Sequence, residues 1–392
     1  MMTLKNTAET TRLAKRNRLG IGLAFVLIAL GLFINQVQAD LKFQANGKEF
    51  DLIPNLIGDQ LASDSVISKN GGFLVWHDNA TDESGFGISA IRIDVNSNPV
   101  GSPFRVNSQH LGNQEKPQVG LLENGAGFFA WEGGATGFRR VKYRVTNELG
   151  AFSSEERFAI GPNSGEQTDP AIAVLKNGNV MLSWTDYLED GSMKGVAAKI
   201  VDQQGETIID SIRLNHFTTG NQYGAELQAL PNGSIAAVWV SDQQQDKASM
   251  DVVARVFNSL GQPITNEVIV SKKGISADPV IGATDDRLMV AWEQVNLKDA
   301  KARWDIHLRS YDFNLKPVSE QVIANTTIHG DQFDVKLKGG AGGAILVWNS
   351  IGQDGSRETV MGRYVNEKGL FEGKEFQVNT QVKAGQIQPN VS

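Results

Sequence analysis

A short apolar segment that ends in tryptophan recurs six times along this chain. Its copies read FLVW, GFFAW, VMLSW, IAAVW, LMVAW and ILVW. The tryptophans are separated by 55, 53, 55, 53 and 56 residues, and they are Trp76, Trp131, Trp184, Trp239, Trp292 and Trp348. A nearly continuous apolar run of this length predicts a strand that is covered on both faces. The regular spacing indicates an internal structural repeat.

Each repeat contains a pattern of four short strands. An apolar strand, often after a proline, comes first, and an Asn-Gly or Gly-Gly turn connects it to the tryptophan strand. These turn residues accept the positive φ that tight hairpins need. A polar loop then precedes two further strands, the last of which reads like FRVN or FQVN. Four strands in each unit of about 54 residues predict an all-β fold, a β-propeller of four-stranded antiparallel blades.

The number of blades depends on two pieces outside the six complete repeats, which span 60–385. Residues 41–54 resemble the last two strands of a repeat, and residues 386–392 resemble a first strand. Neither piece supplies a second strand with its tryptophan. We therefore expect seven-fold geometry with an incomplete closing blade made from both termini. A six-bladed ring with spare termini is the alternative.

Two further residue types recur in register with the tryptophans. A basic residue occupies one position of the third strand, and a glutamine marks the junctions between repeats. The basic series is Arg92, Arg144, Lys199, Arg255, Arg309 and Arg363; the glutamine series is Gln60, Gln114, Gln167, Gln222, Gln332 and the shifted Gln386. Because a residue present in nearly every blade builds the blade, we interpret both series as structural. A cross-strand charge pair and hydrogen bonds to backbone groups would suffice.

The first 39 residues have the pattern of an export signal. Five basic residues precede an apolar stretch at 19–34, and Val37-Gln38-Ala39 places small residues where a signal peptidase cleaves. We expect cleavage before Asp40, which leaves residues 40–392 as a single propeller domain. An uncleaved anchor is the competing interpretation, although about 16 apolar residues are few for a membrane span.

Charge and cysteine content narrow the function classes. The net charge is −7 for the whole chain, and removal of residues 1–39, with five basic residues and one acidic residue, leaves −11. Nucleic-acid binding needs a basic face, so nucleic acid is not an expected partner. The chain contains no cysteine, which excludes disulfides and thiol chemistry. We expect an exported, monomeric protein of the periplasm or the extracellular space, associated with a membrane only if the signal segment stays uncleaved.

Function is expected where the repeats differ, and the loops between the second and third strands vary most. These loops are acidic and polar, and together they form one candidate binding face. The candidate residues are Asp78, Asp82, Glu83, Asp186, Tyr187, Glu189, Asp190, Asp242, Asp246 and Asp354.

Metal binding is weakly indicated by the same loops. Clustered oxygen ligands suit calcium, but no loop has the full D-x-[DN]-x-[DN]-G pattern, and no pair of the five histidines has ligand spacing. We therefore expect no metal and no other cofactor, with calcium as the open alternative. A melting temperature that excess EDTA leaves unchanged would exclude a structural calcium.

No catalytic motif is present in the sequence. The chain lacks S-x-D-x-G-x-x-W, G-x-S-x-G, a Walker loop and H-E-x-x-H. We expect a non-catalytic propeller that binds a protein or glycan partner through its variable loops. The alternative is a glycan-active hydrolase or lyase with acidic residues at the mouth of the central channel, because acids are numerous enough to supply a catalytic pair.

At the level of whole repeats, the pattern P-x-V, L-x-N-G-x-F-x-x-x-W, R-x-x-D/N-x-x-G, F-x-V-N and G-x-Q resembles the blades of bacterial exported propellers. Its best copies here are Pro170 to Gln222 and the segment that ends Glu375-Phe376-Gln377-Val378-Asn379. Similar repeats occur in large surface and adhesin-like proteins. The resemblance covers residues 41–392 and implies a binding or scaffolding role at the cell surface or in the periplasm. It transfers no catalytic residue.

Overall fold

The computed structural model confirms an all-β propeller made of six blades, each with four antiparallel strands in sequence order. It describes residues 49, 51–53, 56–82, 84–161, 164–187, 193–296, 304–327, 330–353, 355, 357–381 and 385–392. The expected signal segment at 1–39 lies outside these residues. Within the described part of the chain, no helix is long and apolar enough to cross a membrane.

The six blades follow one another along the chain. Blade one contains β1 Gln60–Ser68, β2 Gly71–Asp78, β3 Gly87–Ile93 and β4 Pro99–Arg105, and blade two contains β5 Asn113–Leu121, β6 Gly127–Gly134, β7 Arg140–Val145 and β8 Arg157–Phe158. Blade three contains β9 Gln167–Val174, β10 Val180–Tyr187, β11 Lys194–Val201 and β12 Thr207–Arg213, and blade four contains β13 Gln222–Ala229, β14 Ile235–Asp242, β15 Met250–Phe257 and β16 Val268–Ile269. Blade five contains β17 Ser276–Ala283, β18 Leu288–Val295, β19 Trp304–Tyr311 and β20 Val322–Ile323, and blade six contains β21 Gln332–Gly340, β22 Gly343–Ile351, β23 Glu358–Asn366 and β24 Phe371–Gln377.

The repeated tryptophans fill the spaces between blades. Trp184 of blade three, for example, packs with Phe128 and Val141 of blade two, and Trp239 of blade four packs with Met181 of blade three. Five of the six are fully buried, and Trp76 of blade one is 3% exposed. A large flat side chain at this position removes much apolar area from water. The ring is therefore a series of similar blade-to-blade cores.

The junction glutamines bond to this core in two of the blades. Gln114 Oε1 accepts a hydrogen bond from Trp131 Nε1 at 3.0 Å, and Gln332 Oε1 accepts one from Trp348 Nε1 at 3.1 Å. Since each indole N–H is buried, it needs such an acceptor. The glutamines are thus structural, as expected, although their partner is a side chain as well as backbone.

The repeated basic residues link neighbouring blades rather than forming only cross-strand charge pairs. Three arginines each donate from Nη1 to a backbone carbonyl of the preceding blade. The pairs are Arg144 with Val106, Arg255 with Leu214 and Arg363 with Ala324, at 3.1, 3.1 and 2.8 Å. Lys199 donates to the Ala159 carbonyl at 2.8 Å and also pairs with Asp210 at 3.2 Å. These cations therefore satisfy backbone carbonyls at the blade boundaries.

The described sheets match the six-bladed alternative, and a seventh four-stranded blade is not shown. The C-terminal segment nevertheless contacts blade one. Gln388 Oε1 accepts a hydrogen bond from Ala62 N at 2.9 Å, and Asn390 Nδ2 donates to Ser63 O at 3.2 Å.

Candidate functional site

The innermost strand of every blade bulges toward the central channel at the same place. In each blade the pairing between the first and second strands skips two residues, as at Ala62-Ser63 and Lys116-Pro117. The first bulged residue has a left-handed φ of 44–62° in all six blades. These six bulge residues are Ala62, Lys116, Asp169, Gly224, Asp278 and Asp334. A bulge re-aims a side chain out of the sheet, here into the channel.

Side chains from the preceding blade hold the bulges in place. At three of the bulges, the residue directly after the tryptophan of the preceding blade accepts a hydrogen bond from the bulge N–H. The pairs are Glu132 Oε2 with Asp169 N at 2.9 Å, Thr185 Oγ1 with Gly224 N at 3.0 Å and Glu293 Oε1 with Asp334 N at 2.7 Å. The bulge residues are therefore positioned by the rigid blade cores rather than by loops, which suits a site that needs fixed geometry.

The bulge residues surround a cavity of about 290 Å³ at one end of the channel. Its lining is acidic and contains two lysines. Beside the six bulge residues, it includes Glu226, Lys336 and Gln388. The bulges lie where first strands begin and second strands end, so this cavity opens at the end that carries the loops between second and third strands. The sequence alternative of acidic residues at the channel mouth thus matches this lining.

Lys116 organises one side of the cavity. Its Nζ lies 2.5 Å from Asp169 Oδ1 and 3.6 Å from Glu132 Oε2, and Arg139 also pairs with Glu132. Burial raises the pKa of Asp169, but the charge and hydrogen bond of Lys116, with a hydroxyl donor from Thr168, outweigh it and hold that pKa below its ordinary value. Asp169 is therefore an ionised carboxylate at neutral pH.

The opposite side holds carboxyl groups that resist ionisation. Burial, together with the nearby Asp334 charge, raises the pKa of Asp278. Glu293, behind the bulge of blade six, has a pKa raised to about 8 by burial and by the charges of Asp278 and Asp334. Like charges gathered in a low-dielectric site favour the protonated form of one or more members. Glu293 is therefore mostly protonated at neutral pH.

Glu226 lies deeper in the channel, two residues after the bulge of blade four. It borders both the mouth cavity and a second cavity of about 310 Å³ on the far side. Burial raises its pKa to about 7, although Lys336 opposes the shift. Its protonation state therefore changes near neutrality.

Four of the residues proposed from the sequence are described in blades one and three. Asp78 is buried, and its Oδ2 accepts from Trp76 Nε1 at 3.1 Å; Asp186 is also buried and accepts from Trp184 Nε1 at 2.9 Å. Asp82 is buried and accepts from Asn107 Nδ2 at 2.8 Å. Tyr187 is half-buried, with Lys194 Nζ 4.6 Å from its ring centre.

Two more candidates lie in blade four. Asp242 accepts from Asn221 Nδ2 at 2.9 Å and lines a shallow cavity between blades three and four. Asp246 pairs with Lys273, a contact that holds the pKa of Asp246 below its ordinary value. Four candidates, Glu83, Glu189, Asp190 and Asp354, lie outside the described residues.

None of the six described candidates lines either cavity of the channel. Asp78 and Asp186 accept hydrogen bonds from tryptophan N–H groups within their blades, and the six candidates are divided among blades one, three and four. Their role in ligand binding stays a prediction. The channel residues escaped sequence reasoning because they belong to first strands, which were interpreted as structural.

A sequence signal for the channel residues does exist. Each bulge residue comes two positions after the junction residue, as in Gln114-x-Lys116 and Gln167-x-Asp169. Along the repeats this position reads Ala, Lys, Asp, Gly, Asp, Asp and Gln, so its chemistry varies while its neighbours are similar. Variation at one position of a repeat is the mark expected of a functional residue.

The sequence comparisons give no family: no family model matches, and a search of curated proteins finds no relative of significant similarity. Among solved structures, the fold is similar to a polysaccharide lyase, Uly1 (TM-score 0.52, 11% identity, 89% of this chain and 88% of that chain). It is also similar to an ulvan lyase of a new polysaccharide lyase family (0.50, 11%, 82% and 86%). A third is an α-L-arabinanase of Penicillium chrysogenum complexed with arabinobiose (0.50, 15%, 70% and 83%).

These neighbours correct two expectations from the sequence. A non-catalytic binding propeller, and with it the expectation that the protein is not an enzyme, is wrong, because the similar propellers are enzymes that act on glycans. The findings favour the alternative, a glycan-active hydrolase or lyase. The error arose because function was sought in the variable loops, whereas the titratable cluster lies on the innermost strands. At 11–15% identity the likeness itself establishes only the fold.

Proposed function

We propose that the protein cleaves a polysaccharide by acid–base hydrolysis at the acidic mouth of its channel. The observation that carries this proposal is that one cavity contains carboxyl groups whose pKa values are displaced in opposite directions. The pKa of Asp169 lies below its ordinary value, and the pKa of Asp278 lies above it. Glycoside hydrolysis requires such a pair, one carboxylate to accept a proton and one carboxylic acid to donate one.

The two residues have distinct roles in this proposal. Asp278 opens into the cavity mouth and, because its pKa is raised, is the carboxyl group assigned to donate a proton to the glycosidic oxygen of the leaving group. Asp169, kept ionised by Lys116, accepts a proton from the attacking water. Glu132 of the preceding blade anchors the Asp169 bulge, and both residues sit on innermost strands, so the ring sets their separation. Glu226 beneath them adds a third carboxyl group with a pKa of about 7 that sustains the negative potential of the site.

Elimination of a uronic-acid polysaccharide is the second candidate. Lys116 favours it, because an ammonium group in the cavity can neutralise a substrate carboxylate, as acidification of the adjacent sugar proton requires. The Lys116 cation is, however, already paired with Asp169 at 2.5 Å. We therefore place hydrolysis first.

The experiment is a screen of the purified protein against neutral and uronic-acid polysaccharides. New reducing ends report either reaction, whereas the ultraviolet absorbance of an unsaturated uronate reports elimination alone. With a cleaved substrate in hand, Asp278→Asn and Asp169→Asn should each lower kcat by about 10²–10⁴-fold, the usual contribution of a general acid or base.

The matched control is Asp285→Asn, which makes the same change at an exposed turn of blade five and should keep full activity. If no polysaccharide is cleaved, or if both channel variants retain wild-type kcat, the proposed function fails. Detection of unsaturated products would show that the reaction is elimination and not hydrolysis.

We also propose that the enzyme works after export, in the periplasm or outside the cell, where polymeric substrates occur. The export signal at 1–39 supports this location. N-terminal sequencing of the protein from its native host should begin at Asp40. A chain recovered from the cytoplasm with its first residues intact would contradict export.

A further inference from the structure

The boundary between blade six and blade one differs from the other five boundaries. Elsewhere the tryptophan strand of one blade covers the outer face of the blade before it. Among the described strands, none follows β24 to cover blade six in this way. We call this boundary the open junction; it consists of Ile345, Val360 and Val378 on blade six, Trp76 on blade one, and Leu52 and Ile387 between them.

Exposure of the blade-six face sets it apart from its equivalents. Val378 donates its backbone N–H to Val360 O, as Val270 does to Val252 O and Ala324 does to Ile306 O. The side chains at this repeat position are fully buried in blades one to five and are Val106, Ala159, Leu214, Val270 and Ala324, each at 0%. Val378 is 41% exposed. An apolar residue built for a covered position is therefore open to water.

The C-terminal segment occupies one edge of the open junction as a first strand would. Gln386 N donates to Glu358 O at 3.1 Å, as the junction residue Gln167 donates to Arg139 O. Gln388 follows with a left-handed φ of 58° and lines the channel with the six bulge residues. These contacts continue the repeat by one more innermost position.

Glu49 occupies another edge as a fourth strand would. Its Oε2 accepts from the backbone N–H groups of Thr380 at 2.8 Å and Gln381 at 3.1 Å. Glu156 of blade two makes the same contact with the blade before it, accepting from Ser108 N at 2.7 Å and Gln109 N at 3.2 Å. Innermost and outermost positions of a further repeat are thus present, while the tryptophan strand between them has no counterpart in the described chain.

A cavity of about 390 Å³ marks the unfilled part of the open junction. It lies against Trp76 and is bordered by Leu52, Leu74 and Ile387. Apolar side chains of the tryptophan strand thus border this cavity, together with polar groups of Asp51, Gln60 and Gln388.

We propose that the open junction binds one extended β-strand of a partner polypeptide, with a short apolar run that ends in a large aromatic residue. The repeat itself specifies this chemistry, because every closed boundary is filled by a short apolar strand that ends in tryptophan. An added strand would gain backbone hydrogen bonds at the edge of residues 386–392. Its aromatic side chain would cover the blade-six face at Val378, as each repeated tryptophan covers the blade before it, and its opposite face would turn toward the cavity beside Trp76. This inference does not depend on the catalytic proposal.

The test uses a labelled peptide with the sequence of residues 343–350, GAILVWNS, flanked by lysines for solubility. Fluorescence anisotropy should show saturable binding to the purified protein, and the melting temperature should rise with peptide concentration. The same peptide with serine in place of tryptophan should bind at least about tenfold more weakly, since a central aromatic anchor dominates such contacts.

Two protein variants locate the binding. Val378→Lys and Ile387→Lys place charges on opposite edges of the open junction, at positions that are already 41% and 53% exposed. Each should weaken peptide binding at least about tenfold, because the charge must be desolvated. Val318→Lys, at an equally exposed valine of blade five, should bind the peptide as the wild type does.

Three outcomes would overturn the proposal. The first is no saturable binding of the tryptophan peptide, and the second is equal binding by Val378→Lys, Ile387→Lys and wild-type protein. The third is a dimer in size-exclusion chromatography that Val378→Lys dissociates, which would make a second copy the occupant.

Discussion

The carboxyl group of Glu293 should make the stability of the propeller depend on pH in a way that one substitution removes. Glu293 is 5% exposed, and its Oε1 accepts the backbone N–H of Asp334 at 2.7 Å. Burial and the neighbouring Asp278 and Asp334 charges raise its pKa to about 8 from an ordinary value of 4.5. Glu293→Gln keeps the shape and the acceptor oxygen but removes the charge.

The sign of the effect follows from the direction of the shift. The folded state holds the Glu293 proton more tightly than the unfolded state does, because its pKa is raised. This contribution to the free energy of unfolding is fully present below about pH 4.5 and is lost as pH rises toward 8. Each unit of displacement corresponds to about 1.4 kcal/mol. Between pH 5 and pH 8 the wild type should therefore lose on the order of 3 kcal/mol of unfolding free energy relative to Glu293→Gln.

Urea unfolding at pH 5 and pH 8, followed by tryptophan fluorescence, measures this difference through the midpoint and slope. Glu320→Gln, the same change at an exposed residue of blade five, is the control and should follow the wild type at both values. The reasoning is refuted if the free-energy difference between Glu293→Gln and wild type is the same at pH 5 and pH 8.

Three further predictions test the blade boundaries and the channel. Val270→Ala should lower the unfolding free energy by about 2 kcal/mol, whereas Val378→Ala should lower it by less than about 0.5 kcal/mol, because only the first side chain is fully buried; equal losses in urea unfolding would contradict the open junction. Gln114→Leu should cost about 1–3 kcal/mol by the same assay, since Trp131 Nε1 loses its buried acceptor; an unchanged midpoint would show that the bond contributes nothing. Lys116→Met should shift the acidic limb of the pH–activity profile to higher pH by about one unit or more, because the Asp169 carboxylate loses a stabilising charge. An unchanged limb would show that Asp169 does not set the pH dependence of catalysis.

The sequence predicted the blades because their determinants are local and repeated. The tryptophan spacing, the Asn-Gly turns and the apolar second strands each recur with the same period, so a single blade suffices to interpret the others. Trp184 and Trp239 fill boundaries between blades, and both belong to the strands that the sequence predicts to be covered on both faces. The number of blades was harder to predict, because residues 386–392 continue the innermost layer without belonging to a four-stranded sheet.

The candidate site could not be predicted in the same way, because its carboxyl groups come from positions distant in sequence. Asp169, Asp278 and Asp334 line one cavity only because the ring brings three blades together. The pKa shifts of Asp169 and Asp278 depend on burial and on charges from other blades. Conversely, Asp78 looked functional in sequence because it belongs to one of the acidic loops that vary between repeats. The fold turns it toward Trp76 Nε1, a buried donor whose need for an acceptor is invisible in the sequence.

The left-handed backbone of the bulge residues favours glycine for stability, whereas a functional side chain at the same position requires another residue. A non-glycine residue at such a φ costs on the order of 1 kcal/mol, and Ala62 and Lys116 accept this cost at φ values of 47° and 50°. Blade four already has glycine at this position. A laboratory population of variants screened for heat resistance alone would therefore be driven toward glycine around the channel, losing one functional group at each step. Thermostabilisation of this propeller should accordingly exclude its innermost positions from the library.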